Sequence, residues 1–224
     1  QAMAQLGRKF GAQMVLETRR DAVQVLVAKI KSANPDSVIV FDFFGGASGV
    51  VSAAKKAGIN TNWITTYVNS DAILYKMTGK AWLGVYIGMW AKMVEPNVTE
   101  YIKYFKTTKY YTKAISRVWD APSGYNTAGW IAAEIFYGGL QIFMNKYKTM
   151  AKLDWDNYIR SMEDMRGFNN TLAKDITYFP MSEARPGTAK YYLARSGQRT
   201  MFFGVASLTP QGQFYFKPVT NWLR

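Results

Sequence analysis

One stretch, residues 36–58, constrains the fold of this chain more than any other. It reads DSVIVFDFFGGASGVVSAAKKAG. The apolar run at 37–44 is rich in β-branched and aromatic residues, which is typical of a parallel strand covered on both faces. A glycine-rich turn follows, and then a short helix from about Ser48 to Ala57 that ends at Gly58, a position that favours left-handed backbone geometry. The stretch therefore predicts a strand, a tight turn and a helix in direct succession.

The same alternation continues on both sides of this stretch. A helix with a one-sided apolar stripe precedes it and stops at Asn34-Pro35. Strands are predicted at 62–68 and 84–89, and Asp71 or the residue before it can start the helix between them. Alternating strands and helices predict an α/β fold with a parallel sheet and right-handed crossovers.

The pattern changes from residue 95 onwards. An aromatic-rich amphipathic helix comes first, followed by a long helix that opens at Ser123-Gly124 and a shorter one at 154–167. The apolar stretch at 127–144 carries Glu134 and two adjacent glycines, which favours a buried globular helix over a membrane span. The tail from Asp175 predicts short strands and hairpins.

Composition excludes several kinds of chemistry. The chain has no cysteine and no histidine, which removes thiol nucleophiles, disulfides, the usual structural zinc sites and every scheme with an imidazole base. The formal charge is +13, but the basic residues are spread along the chain without a dense run. That spacing favours solvated faces over a nucleic-acid partner.

The glycine-rich turn does not match the known catalytic or nucleotide motifs. A G-x-G-x-x-G fingerprint starting at Gly45 needs glycine where Ala47 and Val50 stand. A nucleophile elbow around Ser48 needs a second glycine at position 50 and a histidine base, and both are missing. No cofactor and no catalytic residue are therefore expected.

A ligand site is nevertheless expected at this turn, because ligands of open α/β sheets bind beyond the carboxyl ends of the strands. The mouth of that site is predicted from the turn itself: Asp42, Phe43, Phe44, Gly45, Gly46 and Ser48. Tyr67, Trp90 and Tyr125 also fall at predicted strand ends or helix starts. Such aromatic side chains either line a cleft or cap the core beneath loops.

The order of these elements resembles the leucine/isoleucine/valine-type, or type I, periplasmic binding proteins of ABC transporters. The residues that carry the resemblance are LETRRDAVQVLVAKIKSANPDSVIVFDFFGGASGVVSAAKKAGI, the WITTYV strand, the GVYIGMW crossover, the SGYNTAGW helix start and the hairpin tail. The resemblance covers nearly the whole chain. It rests on the order of elements, since no single short motif is diagnostic.

The resemblance implies two doubly wound α/β lobes joined by a three-crossover hinge. It implies that residues 1–90 form the second, C-terminal lobe without its opening strand, that 91–198 return through the first lobe, and that 199–224 return to the second lobe. Lobe closure would then occur near 88–92 and 195–200. Family chains are longer, so we expect a fragment or one part of a longer chain, which lacks the N-terminal part of lobe 1 and exposes apolar faces there.

The resemblance also implies a site and a function. Phe43, Phe44 and Gly45 would enter the cleft from one strand end, and Thr66, Tyr67 and Asn69 from the next. Amino-acid-binding relatives often have a carboxylate where Tyr67 stands. Because an unpaired buried ammonium group is costly, the expected solute is an amide, a urea-like compound or an aromatic carboxylate rather than a simple amino acid.

The expected protein is an exported binding protein rather than an enzyme. It would act in the periplasm or on the outer face of the cytoplasmic membrane and deliver its solute to an ABC permease, with no nucleic-acid partner. Three alternatives stay open on the sequence: a sensor or regulator ectodomain of the same fold, a flavodoxin-like enzyme with a phosphorylated cofactor at the glycine-rich turn, and a basic nucleic-acid binder.

Overall fold

The fold is that of a computed structural model, which describes residues 20–91, 99–109, 124–170, 172–188, 197 and 200–223. The side chains of residues 20, 21, 99–102 and 124–126 lie outside this description. Most of the expected hinge at 195–200 and residues 189–195 of the predicted tail, AKYYLAR, also lie outside the described residues.

The first part of the chain alternates helices and strands, as its sequence predicts. In chain order the elements are α1 (Arg20–Ala33), β1 (Ser37–Val40), α2 (Phe44–Lys56), β2 (Asn62–Thr65), a 3-10 turn (Tyr67–Asn69), α3 (Ala72–Thr78), a second 3-10 turn (Gly79–Trp82) and β3 (Tyr86–Met89). Asp71 caps α3, because its carboxylate accepts a hydrogen bond from the Ile73 amide at 2.9 Å. Gly58, just beyond α2, has a φ of +75°, as expected for a helix stop.

The second part supplies helices and then a hairpin. Its elements are α4 (Thr99–Thr107), α5 (Gly124–Tyr147), α6 (Trp155–Glu163), β4 (Phe202–Leu208) and β5 (Phe214–Pro218), with single 3-10 turns at Met150–Lys152 and Met181–Glu183. Phe168 and Ile176 form an isolated antiparallel bridge in the connection. No helix among the described residues is long and apolar enough to cross a membrane.

The described strands form one sheet in the order β1-β2-β3-β4-β5. β1 pairs with β2 in parallel, with Val40 opposite Thr65, and β2 pairs with β3 in parallel, with Thr65 opposite Ile87. β4 and β5 add two antiparallel strands beside β3. The parallel part confirms the α/β fold class, and the antiparallel hairpin makes the sheet mixed.

The core lies between the sheet and its helices. α1 buries Leu26, Val27 and Ile30, and α2 buries a row of small and β-branched side chains against α1 and the sheet. From the sheet side, Trp63 and Ile87 are almost fully buried in the same cluster. The one-sided stripe predicted for α1 is confirmed by these contacts.

The boundaries around the glycine-rich turn differ from those predicted. β1 ends at Val40 rather than at residue 44, and α2 begins at Phe44 rather than at Ser48. The reason is local: the Ala47 amide donates to the Phe43 carbonyl at 2.9 Å, which closes the first helical turn around the glycine pair. Gly45 and Gly46 therefore belong to the helix, and the turn contains only residues 41–43.

Other predicted elements are shorter than expected for similar reasons. The strand predicted at 62–68 ends at Thr65, because the Ser70 amide bonds to the Tyr67 carbonyl at 2.9 Å and closes a 3-10 turn. The strand predicted at 84–89 begins at Tyr86. The helix predicted at 154–167 stops at Glu163, and Trp155 at its start is exposed rather than packed.

Replacing a buried sheet residue tests this core. Ile87→Ala removes three methyl or methylene groups from a fully buried position of β3, so we expect a loss of about 2–5 kcal/mol in the free energy of unfolding. Ile159→Ala on α6, where the side chain is partly exposed, is the matched control and should cost less than about 1 kcal/mol. Urea unfolding of both variants measures the difference, and equal losses would contradict the described core.

Candidate functional site at the carboxyl edge of the sheet

The carboxyl ends of β1, β2 and β3 meet at one edge of the sheet because the three strands are parallel. Residues 41–43 follow β1, residues 66–69 follow β2, and Trp90 follows β3. We call this the carboxyl edge. Most of the sequence-predicted site residues lie along it, which brings together positions separated by more than twenty residues in the chain.

Asn69 ties the first two strand ends together. It is fully buried, and its side-chain Nδ2 donates to the Asp42 carbonyl at 2.8 Å and to Thr65 Oγ1 at 2.6 Å. The Thr65 hydroxyl in turn donates to the Val40 carbonyl at 3.0 Å. These bonds hold the turn after β1 against the turn after β2 and give the base of the edge a fixed shape.

Asp42 lies across the start of α2. Its Oδ1 accepts a hydrogen bond from the Phe43 amide at 2.7 Å. A Cβ atom added to Gly46 would lie 1.6 Å from Asp42 Oδ2, so the carboxylate occupies the space directly beside the glycine. Only glycine at position 46 leaves room for this arrangement. Gly45 is different, because a Cβ added there meets nothing within 4 Å.

Three aromatic side chains at this edge are exposed to solvent, and Phe41 is the most exposed of them, at 80%. Phe43 is 66% exposed and Tyr67 is 52% exposed, and they follow neighbouring strands. Large exposed aromatic groups at one edge of a sheet are available to contact a ligand or another surface. Phe44 and Trp90 are instead only partly exposed and pack against the core, so each can present at most one face to the edge.

The remaining predicted site residues are placed as follows. Gly45 is exposed in the first turn of α2, and Thr66 is partly exposed after β2. Ser48 is buried, and its hydroxyl donates to the Gly45 carbonyl at 3.2 Å within the same helix, so it does not open onto the mouth expected from the sequence. Tyr125 lies in the first turn of α5, but its side chain is outside the described residues.

Thr65 and Gly46 matter more to this geometry than the sequence reasoning suggested. Thr65 connects the β1 and β2 ends, and Gly46 makes room for the Asp42 carboxylate. Gly46 could have been recognised from its spacing. It follows Asp42 by four residues, and because a helix begins between the two positions, one helical turn brings them close together. The signal for Thr65 is a polar residue at the end of an otherwise apolar strand.

The described ionisable groups whose pKa is shifted lie away from the carboxyl edge. Burial lowers the pKa of Lys55, whose Nζ donates to the Leu83 carbonyl at 2.7 Å near the opposite end of α2. Burial also raises the pKa of Tyr178. The described residues contain no group of three or more acidic side chains that could hold a metal ion.

Two grooves of the described part lie away from the carboxyl edge. A groove of about 550 Å³ lies along α5 and residues 168–170, with Trp130, Glu134 and Tyr137 on its helical wall. It shares no residue with the predicted site. Phe43 and Tyr67 are exposed, so within the described residues the carboxyl edge is open to solvent, and an enclosed site there needs a second wall.

Comparisons with known proteins address the fold. No family model matches this sequence, and no curated protein matches it. The solved structures that it resembles include a branched-chain amino acid ABC transporter protein from Thermus thermophilus with bound valine, at 16% identity and a TM-score of 0.70, covering 99% of this chain and 55% of that chain.

Two further solved structures give the same result. The first is a leucine-binding protein from Thermotoga maritima, at 13% identity and a TM-score of 0.60, covering 96% of this chain and 52% of that chain. The second is a fatty acid ABC transporter substrate-binding protein from Thermomonospora curvata, at 12% identity and a TM-score of 0.66, covering 90% of this chain and 46% of that chain.

These likenesses confirm the resemblance at the level of the fold. The chain has the α/β fold of the type I periplasmic binding proteins, with a sheet that is parallel over its first three strands. It spans about half the length of the solved structures that it matches. Sequence identity is low in every case, so the likeness shows the fold and does not indicate which ligand is bound.

A double-mutant cycle tests the contact between Asp42 and Gly46. In the native chain, Gly46→Ala must push the Asp42 carboxylate off the start of α2. With Asp42→Ala in place that obstacle is gone, and alanine has the higher helix propensity by about 1 kcal/mol. We therefore expect Gly46→Ala to be more favourable in the Asp42→Ala background by about 0.5–3 kcal/mol in the free energy of unfolding.

Gly45→Ala is the matched control for this cycle, because a Cβ atom at position 45 meets open space. Its effect should be the same in both backgrounds to within about 0.5 kcal/mol. Equal coupling energies for the two glycines, measured by urea unfolding, would rule out the described contact.

Proposed function

We propose that this chain is part of an extracytoplasmic solute-binding protein of an ABC importer, and that the carboxyl edge of its sheet is one wall of the solute cleft. The observation that carries the proposal is the pair of exposed aromatic side chains, Phe43 and Tyr67, on adjacent strand ends above a polar base that is bonded in place. Aromatic walls with a few fixed polar groups are the usual composition of small-molecule sites. The likeness to solute-binding proteins of the same fold supports the class.

The solute that best suits this wall is small and bears N–H groups. The Tyr67 ring and the Phe43 ring offer flat apolar faces, and the partly exposed Asp42 carboxylate next to Phe43 is a hydrogen-bond acceptor. An amide or a urea-like compound presents N–H donors to such acceptors. Of the solute classes expected from the sequence, an aromatic carboxylate suits this wall less well, because it brings acceptors only.

The opposite wall belongs, in this proposal, to the first lobe. Several large apolar side chains on α5 and α6 support this part of the proposal, since they are exposed as they would be on a surface that packs against the rest of the first lobe: Phe136, Tyr137, Met144, Trp155 and Ile159. The proposed lobe assignment is the one expected from the sequence: residues 1–90 and 199–224 belong to the second lobe, and residues 91–198 return through the first. β4 and β5, which join β3 in one sheet, agree with that assignment.

The rest of the functional proposal follows from this class. The partner would be an ABC permease, the location would be the periplasm or the outer face of the cytoplasmic membrane, and the mechanism would be closure of two lobes around the solute without a chemical step. Native mass spectrometry of the purified full chain tests the class directly. A co-purified small molecule supports it, and a panel of urea, benzamide, benzoate and leucine in calorimetry then ranks the solute classes.

Truncation of Tyr67 tests the wall itself. Tyr67→Ala should weaken benzamide binding by roughly two- to tenfold, the equivalent of one lost aromatic contact, and should leave the melting temperature almost unchanged because the side chain is exposed. Tyr104→Ala, which removes an exposed tyrosine from α4, is the control and should not alter binding. Unchanged affinity in calorimetry of Tyr67→Ala would remove Tyr67 from the site.

A further inference from the structure

The start of α2 already carries a negative charge. Helix starts attract anions, because their first amides have no partner within the helix and the helix dipole is positive there. In α2 the N-cap residue Phe43 has no capping side chain, and the first turn contains no acidic residue. The Asp42 carboxylate lies directly at this start: its Oδ1 accepts a hydrogen bond from the amide of the N-cap residue Phe43, and its Oδ2 lies where a Cβ atom of residue 46 would be.

The polar groups next to Asp42 have their donors in use. Asn69 is fully buried, and its Nδ2 bonds to the Asp42 carbonyl and to Thr65 Oγ1, while the Thr65 hydroxyl donates to Val40. The acceptors are not all used, because Asp42 Oδ2 and Asn69 Oδ1 are buried and neither receives a hydrogen bond in the described part of the chain. Next to these groups an anion would meet oxygen atoms and a negative charge, while the Asn69 and Thr65 donors are already bonded within the protein.

We propose that Asp42 is an internal anion that fills the start of α2 and thereby makes this edge of the cleft reject anionic solutes. Its role as a selectivity residue rests on the proposed function, whereas its occupation of the helix start does not. The same helix start that would hold a carboxylate or a phosphate in a related sheet is closed to both here. A neutral solute is not repelled, because it carries no charge that the Asp42 carboxylate would oppose.

Glycine at position 46 is part of the same arrangement. Any larger residue would displace the carboxylate from the helix start. The pair Asp42 and Gly46 therefore acts as a unit, in which the acid supplies the charge and the glycine supplies the space. The phosphorylated-cofactor alternative for the glycine-rich turn is disfavoured by this unit, since a phosphate would be repelled by Asp42 at the one position where helix amides could hold it.

Chemical complementation tests the occupation of the helix start. Asp42→Gly removes a side chain equal in size and charge to an acetate ion, so added acetate should refill the space and stabilise the variant. We expect acetate to raise the melting temperature of Asp42→Gly by about 2–4 °C relative to chloride at equal ionic strength. Acetamide, which has the same shape without the charge, should produce no such rise, and the native full chain should not respond to acetate.

Asp36→Gly is the control variant, because Asp36 is an exposed acid that precedes β1. An acetate response of the native chain or of Asp36→Gly equal to that of Asp42→Gly would overturn the proposal, as would the absence of any acetate response in Asp42→Gly. If Asp42→Gly is unfolded in chloride, circular dichroism decides instead: refolding in acetate and not in acetamide supports the proposal, and failure to refold in acetate contradicts it.

A second measurement addresses selectivity with an isosteric pair of probes. The native chain should bind benzamide at least about tenfold more tightly than benzoate, because a like charge across a contact costs several kcal/mol. Asp42→Asn keeps the shape and removes the charge, so this ratio should fall towards one. A ratio that Asp42→Asn leaves unchanged overturns the selectivity role. Absence of binding to either probe would count against the proposed solute function, while the acetate response still decides whether Asp42 fills the helix start.

Discussion

Parallel pairing of β1, β2 and β3 is the constraint on which the rest of this structure depends. Parallel neighbours need a crossover between them, so α2 and α3 must carry the chain back across the sheet, and these three strands must end at the same edge. That single requirement brings Asp42, Tyr67 and Trp90 into one region. The buried Asn69 then fixes two of the strand ends to each other, with one side-chain amide serving both turns.

The sequence predicted the architecture well because its strongest signals are local and repeated. The β-branched run of β1, the stop at Asn34-Pro35 and the cap at Asp71 each act within a few residues, and the structure confirms all three. Element ends were predicted less well. The apolar run continues to Phe44, but hydrophobicity does not tell whether Phe41 and Phe43 extend a strand or face solvent, and the structure leaves both exposed.

The site was predicted by position more than by chemistry. The rule that ligands bind beyond strand ends predicted a site at this edge, yet it could not reveal that Ser48 turns inward or that Gly46, rather than Gly45, leaves room for the Asp42 carboxylate. Those facts depend on where the helix begins to within one turn. They also depend on the side-chain direction of Asp42, which no periodic pattern encodes.

β1 has a further consequence as an outermost strand. Among the described strands it has a neighbour on one side only, and the Ile39 side chain on it is 43% exposed. A short apolar strand at the edge of a sheet is a template for pairing with an extended segment. The outer side of β1, which has no partner among the described strands, is therefore the place where a further strand would extend this sheet.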